Sequence, residues 1–120
     1  MKRILIADDS IVVRTTLRQL FEQAGWTVCA EAANGHEAVS KAQQETPDIV
    51  VLDLSMPSMN GLTAGCILKE VLPQTPLILF TSFGEIVGPE DLQSSGFSAL
   101  IDKADAGKLL RTAQLSVGAA

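Results

Sequence analysis

Five side chains of this sequence are of the kinds that handle phosphate and divalent cations: the adjacent carboxylates Asp8 and Asp9, the carboxylate Asp53, the hydroxyl of Thr81 and the ammonium of Lys103. Two carboxylates about 5 Å apart repel by roughly 3 kcal/mol at an effective dielectric constant of about 20, so three ionised ones in one cluster call for a cation. An all-oxygen set without His or Cys favours Mg²⁺, Mn²⁺ or Ca²⁺. A site with few protein oxygens, open to solvent and phosphate, suits Mg²⁺ best, with Mn²⁺ as the alternative. A carboxylate nucleophile, a divalent ion, a hydroxyl donor and a lysine together make a phosphoryl-transfer site with charge neutralised around the transferred group. Each residue also has a plainer reading. An Asp after a strand is often a helix N-cap or turn former, a Thr in a strand reflects β-propensity, and a lone Lys is usually solvated, so the chemistry depends on a fold that gathers them.

Apolar blocks alternate along the chain with stretches of helical period. Ile4-Leu5-Ile6-Ala7, Ile49-Val50-Val51-Leu52 and Leu77-Ile78-Leu79-Phe80 are continuous rather than alternating, the pattern of strands buried on both faces of a parallel sheet. Val28 to Ala32 and Ala99 to Asp102 are more mixed and are expected to flank them. Val13, Leu17, Leu20, Phe21 and Ala24 make one apolar helix face that Gly25 can terminate. Asn34 with Glu37 resembles a capping box, opening a second helix that carries Ala38, Val39 and Ala42 inward and ends before Thr46-Pro47. Ala64, Ile67, Leu68, Val71 and Leu72 mark a third helix before Pro73, and Ala106, Leu109, Leu110, Ala113 and Val117 mark a fifth. The fourth, around Pro89 to Ser95 between Gly88 and Gly96, has Leu92 as its one strong apolar residue and is expected to be short and mobile. Strict alternation of this kind predicts a doubly wound α/β sandwich, (βα)5, with a parallel sheet and right-handed crossovers. Ligands of such sheets lie beyond the carboxyl ends of the strands. Asp8-Asp9 follow the first strand, Asp53 ends the third, Thr81 ends the fourth and Lys103 follows the fifth, so all five converge on one rim.

The 120-residue chain is the size of one core, and 47% hydrophobic residues suffice to build it. A net charge of −5 excludes binding to nucleic-acid phosphates as the main role. No apolar run approaches the roughly 18 residues that span a bilayer, and Asp8-Asp9 cut the first run short of a signal peptide, so no membrane role and a cytoplasmic location are expected. Cys29 and Cys66 are not in CxxC spacing and are expected to be reduced, buried small hydrophobes. His36 falls in the opening turn of the second helix, away from the rim, and Trp26 is expected to be a half-buried cover at the start of the second strand. Gly61-Leu62-Thr63 lacks the GxxxxGK[ST] pattern of nucleotide hydrolysis, and Asp8-Asp9-Ser10 would repel a flavin phosphate.

Asp8-Asp9, the stretch Asp53-Leu54-Ser55-Met56-Pro57-Ser58-Met59-Asn60-Gly61, Thr81-Ser82, and Gly96 followed seven residues later by Lys103 make the sequence resemble, over nearly its whole length, a response-regulator receiver domain of two-component signalling, of the chemotaxis-regulator type. The resemblance implies a flavodoxin-like sheet in the order 2-1-3-4-5. It implies that Asp53 accepts a phosphoryl group from the phosphohistidine of a sensor histidine kinase or phosphotransfer protein, forming an acyl phosphate that later hydrolyses. By the same resemblance Asp9 and Asp53 bind Mg²⁺ directly, the Ser55 backbone carbonyl is a third ligand, and Asp8 acts mainly through water. Thr81 and Lys103 would contact the phosphoryl oxygens and shift on phosphorylation, remodelling the surface of the fourth helix, fifth strand and fifth helix for a downstream protein. Ser55 and Ser82 occupy positions that tune access of the hydrolytic water in the family.

Two positions depart from the family pattern. Leu100 stands three residues before Lys103, where the family usually has an aromatic residue that changes rotamer as the threonine moves, so coupling to the output surface is expected to be weaker or routed through the fourth helix. Ala104 follows Lys103 where many members have a proline after a cis bond; a cis bond before a non-proline residue costs about 2.5–4 kcal/mol, so a trans bond is expected. The rival reading is a receiver-shaped module that binds partners without being phosphorylated; the acidic cluster argues against it and Leu100 mildly for it. A carboxylate-nucleophile phosphatase would usually present DxD after its first strand. The fifth helix is expected to end near Val117, leaving Gly118-Ala119-Ala120 and no effector in this chain, whether it is a stand-alone receiver or a segment of a longer protein. Self-phosphorylation and autodephosphorylation, rather than enzymatic turnover, are the expected chemistry.

Overall fold

Strands made of unbroken apolar residues have no face to give to water and persist only where helices cover both sides. A computed structural model, describing residues 2–117, meets that demand; Met1 and the Gly118-Ala119-Ala120 tail lie outside the described residues. The elements are β1 (Arg3–Ala7), α1 (Ile11–Gln23), β2 (Thr27–Ala32), α2 (Gly35–Glu45), β3 (Ile49–Leu52), α3 (Gly61–Val71), β4 (Leu77–Thr81), a 3₁₀ turn (Gly84–Ile86), α4 (Pro89–Ser94), β5 (Ala99–Asp102) and α5 (Ala106–Ser116). The five strands are parallel and ordered β2-β1-β3-β4-β5, the doubly wound arrangement that the alternating pattern predicts.

Period-two alternation within each strand divides the apolar residues between two cores. Ile4, Ile6, Ile49, Val51, Ile78 and Phe80 point one way and pack with Leu17 and Phe21 of α1 and Leu109 and Ala113 of α5. Leu5, Ala7, Val50, Leu52, Leu77 and Leu79 point the other way, onto Ala38 and Ala42 of α2 and Ala64 and Leu68 of α3. Polar termini are closed locally. Ser10 accepts from the Val13 N–H to cap α1, and α1 ends at Ala24 and Gly25, whose φ of +88° is the left-handed conformation that stops a helix cheaply only in glycine. Asn34 caps α2 by accepting from the Glu37 N–H, while the Glu37 carboxylate accepts from the Ala33 N–H at 2.9 Å.

The structure corrects several expectations. Trp26 is 4% exposed, fully buried rather than a half-buried cover, with Phe21 edge-on at 5.3 Å and the Lys2 ammonium over its ring. Neither cysteine is buried. The β1–β2 register slips at Cys29, which has no direct partner on β1 in the edge strand β2, and Cys66 lies on the outer side of α3 because Ala64, Gly65 and Leu68 take the inner positions. Val71 is exposed at the end of α3, and Ala24 is an exposed cap rather than part of the apolar face of α1. α4 is short, as expected, and the 3₁₀ turn before it was not foreseen.

One close approach ties the sheet to the third helix. A Cβ at Gly61 would collide with the carbonyl oxygen of Asp53, and the Gly61 N–H donates to the Leu54 carbonyl at 3.0 Å. Overpacking of this kind costs about 1–3 kcal/mol, so Gly61→Ala should lower the unfolding free energy read from urea titration by that amount. Gly107→Ala in the exposed first turn of α5, where a Cβ meets nothing nearer than 3.5 Å, should leave stability unchanged or raise it by up to about 1 kcal/mol.

Candidate phosphoacceptor and metal site

A parallel sheet brings the carboxyl ends of neighbouring strands to one edge, and the loops leaving them fix the side chains there. Asp8 leaves β1 with its N–H donating to the Ala32 carbonyl at 2.9 Å, extending the ladder to β2, while its Oδ1 accepts from the Ser10 N–H at 2.8 Å. Asp53 leaves β3 in the same way, donating to the Ala7 carbonyl at 2.9 Å. Thr81 is the last residue of β4 and fully buried, and its Oγ1 accepts from the Phe83 N–H at 3.2 Å. Lys103 follows β5, and its N–H donates to the Thr81 carbonyl. Asp53 begins a loop that Ser58 turns through a φ of +68° and that Asn60 ends by capping α3, accepting from the Thr63 N–H at 3.0 Å. The Met59 carbonyl of the same loop accepts from the Gly35 N–H, so the loop is also tied to α2.

These elements bring Asp8, Asp9, Asp53 and Lys103 together. One carboxylate oxygen from each Asp lies within 4.8 Å of the others, with Asp8 and Asp53 buried and Asp9 exposed. Lys103 Nζ pairs with Asp8 Oδ2 at 2.8 Å and with Asp53 Oδ2 at 3.0 Å. The remaining Asp53 oxygen, Oδ1, is buried and has no hydrogen-bond partner. Burial pushes the Asp53 carboxyl above its ordinary pKa; the Lys103 ammonium pulls it back only in part, and the charge of Asp8 adds to the rise. Burial opposes the charge on Lys103, but its hydrogen bonds to Asp8 and Asp53 outweigh that and raise its pKa above the ordinary value of 10.5. Three carboxylates with one shared ammonium and one orphaned buried oxygen fit a hard divalent cation, with Asp9 as the solvent-side member of the set.

The other predicted positions lie around this cluster. Ser55 and Ser82 are exposed beside it, His36 is exposed at the start of α2, and Leu100 is half-buried on β5, opposite Leu79. A Cβ at Gly84 would come within 2.7 Å of Leu100 Cδ2, so the leucine packs directly on the 3₁₀ turn. No cis peptide bond occurs among the described residues, so the Lys103–Ala104 bond is trans, as the absence of proline predicts. Arg14 is a contributor that sequence reasoning missed. Its guanidinium donates to the Asp8 carbonyl at 2.6 Å and pairs through Nε with Glu31 at 3.1 Å, bracing the loop that carries Asp8 and Asp9. Its position on the inner flank of α1, amid apolar residues, was the available signal.

Because the folded pKa of Lys103 is raised, the stability that its pairs contribute is fully present below the ordinary lysine value of 10.5 and is lost as pH rises through the folded value. Lys103→Met should therefore cost about 1.5–3 kcal/mol at neutral pH, the worth of hydrogen bonds to charged groups. The difference from the natural sequence in urea titrations should hold up to about pH 10 and shrink beyond it.

Comparison with known proteins agrees with this geometry. Residues 4–114 match the response regulator receiver domain family. The chain is 39% identical over 84 residues to the chemotaxis protein CheY of Thermotoga maritima, covering 70% of each chain. It is 38% identical over 98 residues to a protein-glutamate methylesterase/protein-glutamine glutaminase of Archaeoglobus fulgidus, covering 82% of this chain but 28% of that longer protein. Among solved structures, CheY in the CheX-CheY-BeF3-Mg²⁺ complex of Borrelia burgdorferi superposes with a TM-score of 0.84 at 32% identity, covering 92% of this chain and 84% of that one. The chain belongs to the response regulator receiver domain family.

Proposed function

We propose that this domain is the phosphoacceptor of a two-component phosphorelay and that Asp53 is the acceptor. A carboxylate oxygen of Asp53 attacks the phosphorus of a phosphohistidine on a sensor histidine kinase or phosphotransfer protein. The P–O bond forms as the P–N bond breaks, and neutral imidazole leaves, keeping the proton that its other ring nitrogen carried in the phosphohistidine. The observation that carries this reading is the pairing of a buried, partly unpartnered Asp53 carboxylate with one lysine at a cluster of three carboxylates. A divalent ion, Mg²⁺ or Mn²⁺, held by Asp9 and Asp53 with the Ser55 carbonyl and by Asp8 through water, would neutralise charge between acceptor and phosphoryl oxygens when bound.

The protein's own groups do the rest. Lys103 offsets part of the cost of burying the Asp53 charge. Its ammonium is already placed to follow a phosphoryl oxygen grown from Asp53. Thr81 offers a hydroxyl on the neighbouring strand end, and the small Ser55 and Ser82 leave room for the water that later hydrolyses the acyl phosphate. The domain is thus modified and self-cleared rather than a turnover enzyme, and its altered α4-β5-α5 surface controls a downstream protein. Among the described residues no helix is long and apolar enough to cross a membrane. Leu100, in place of an aromatic switch residue, favours one second reading, a receiver-like module whose partner binding is independent of phosphorylation.

Incubation with acetyl phosphate and Mg²⁺ should add one phosphoryl group to the intact mass, and neither Asp53→Asn nor protein without Mg²⁺ should gain it. A folded protein that gains nothing, beside a receiver that labels in parallel, would refute the acceptor assignment in favour of the second reading. Independently, Mg²⁺ at roughly twenty times its dissociation constant should raise stability by about 1.8 kcal/mol. A melting temperature indifferent to Mg²⁺ would remove the metal from the account.

A further inference from the structure

The segment between Lys69 and Lys103 carries Glu70, Glu85, Glu90, Asp91 and Asp102, all exposed, and no Lys or Arg. Within it the 3₁₀ turn and the residue before it present two large apolar side chains to solvent, Phe83 at 53% and Ile86 at 75% exposure. They form one wall of an open groove of about 390 Å³ whose other side is Leu54, Ser55 and Asn60 of the loop that begins at Asp53. Paired exposed aromatics and aliphatics beside a groove mark interaction surfaces, and every charged residue between Lys69 and Lys103 in the chain that carries these two is acidic.

That sign selects the occupant. Anionic lipid and nucleic-acid phosphate are both repelled by an acidic rim. A second copy docked through a two-fold axis would set Glu85, Glu90 and Asp91 against their own equivalents. What complements the face is a polypeptide with apolar side chains for the groove and basic ones for its border. We propose that the groove between the Asp53–Gly61 loop and the 3₁₀ turn docks a cationic amphipathic segment of a partner protein, its apolar side chains on Phe83 and Ile86 and its Lys or Arg residues toward Glu85, Glu90 and Asp91. Leu54 and Ser55 directly follow Asp53, so the segment would lie beside the acceptor. The docking chemistry itself does not depend on Asp53 being phosphorylated.

The test uses the natural protein, unphosphorylated, and a short synthetic Leu/Lys peptide with its leucines on one helical face. Controls are a scrambled peptide of the same composition and a Leu/Glu counterpart. Fluorescence anisotropy should show binding of the amphipathic cationic peptide, weakened about tenfold or more both by Phe83→Ser/Ile86→Ser and by Glu85→Lys/Glu90→Lys. The charge-reversed protein should instead take up the Leu/Glu peptide. These four positions are exposed, and urea titration of each variant checks that folding is retained. Absence of binding, equal affinity for the scrambled peptide, or affinity unchanged by Phe83→Ser/Ile86→Ser would overturn the proposal, the last two assigning the attraction to net charge alone. A dimer in sedimentation that Phe83→Ser dissolves would overturn it too, giving the face to a second copy.

Discussion

Three carboxylates share the carboxyl edge of the sheet with one ammonium, and that imbalance governs the site. Lys103 touches Asp8 and Asp53 but leaves Asp53 Oδ1 buried without a partner. A buried, incompletely paired carboxylate is costly, and a fold keeps one only where the rest of the structure holds it in place. The surplus negative charge makes the edge receptive to a small hard cation and, beside it, to a group whose oxygens need neutralising. The same cluster would be only a liability in a domain with no such ligand. This weighs against a purely structural reading of Asp8, Asp9 and Asp53.

Holding the carboxylates against their repulsion falls to neutral backbone contacts. Asp8 and Asp53 are extensions of strand ladders, each with its N–H committed to the neighbouring strand. The loop after Asp53 is tied at Gly61 to Leu54 and at Met59 to Gly35, where added Cβ atoms would strike backbone oxygens. On the other flank Arg14, itself held by Glu31, grips the Asp8 carbonyl. Apart from Arg14, whose charge is partly offset by Glu31, these contacts join neutral backbone groups, so rigidity comes with little change in the electrostatic character of the cluster.

The sheet could be read from the sequence because buried parallel strands leave a continuous apolar record, and the chemistry could be read because Asp8, Asp9, Asp53, Thr81 and Lys103 all fall at strand ends. Helix caps at Asn34 and Gly25 were equally visible, since capping is local. What escaped notice depends on tertiary neighbours. The burial of Trp26 involves Phe21 and Lys2 around it, and the incomplete burial of Cys29 goes with a register slip against β1. The 3₁₀ turn has no periodic pattern to announce it. The role of Arg14 comes from a bond to a backbone carbonyl, so its place on the inner flank of α1 is the one hint that the sequence carries.

The turn matters because it is where the site meets the surface. Thr81 Oγ1 is the acceptor for the Phe83 N–H, and Leu100 lies against Gly84 one residue further on. A displacement of Thr81 Oγ1 large enough to break this contact would leave the Phe83 N–H at the start of the turn without its acceptor. A donor left unsatisfied costs about 1–3 kcal/mol if it stays buried, so the backbone at Phe83 gains by moving to find water or another acceptor. Leu100 has no hydroxyl and no ring to report such a movement at a distance, but its contact with Gly84 makes it sensitive to where the turn sits.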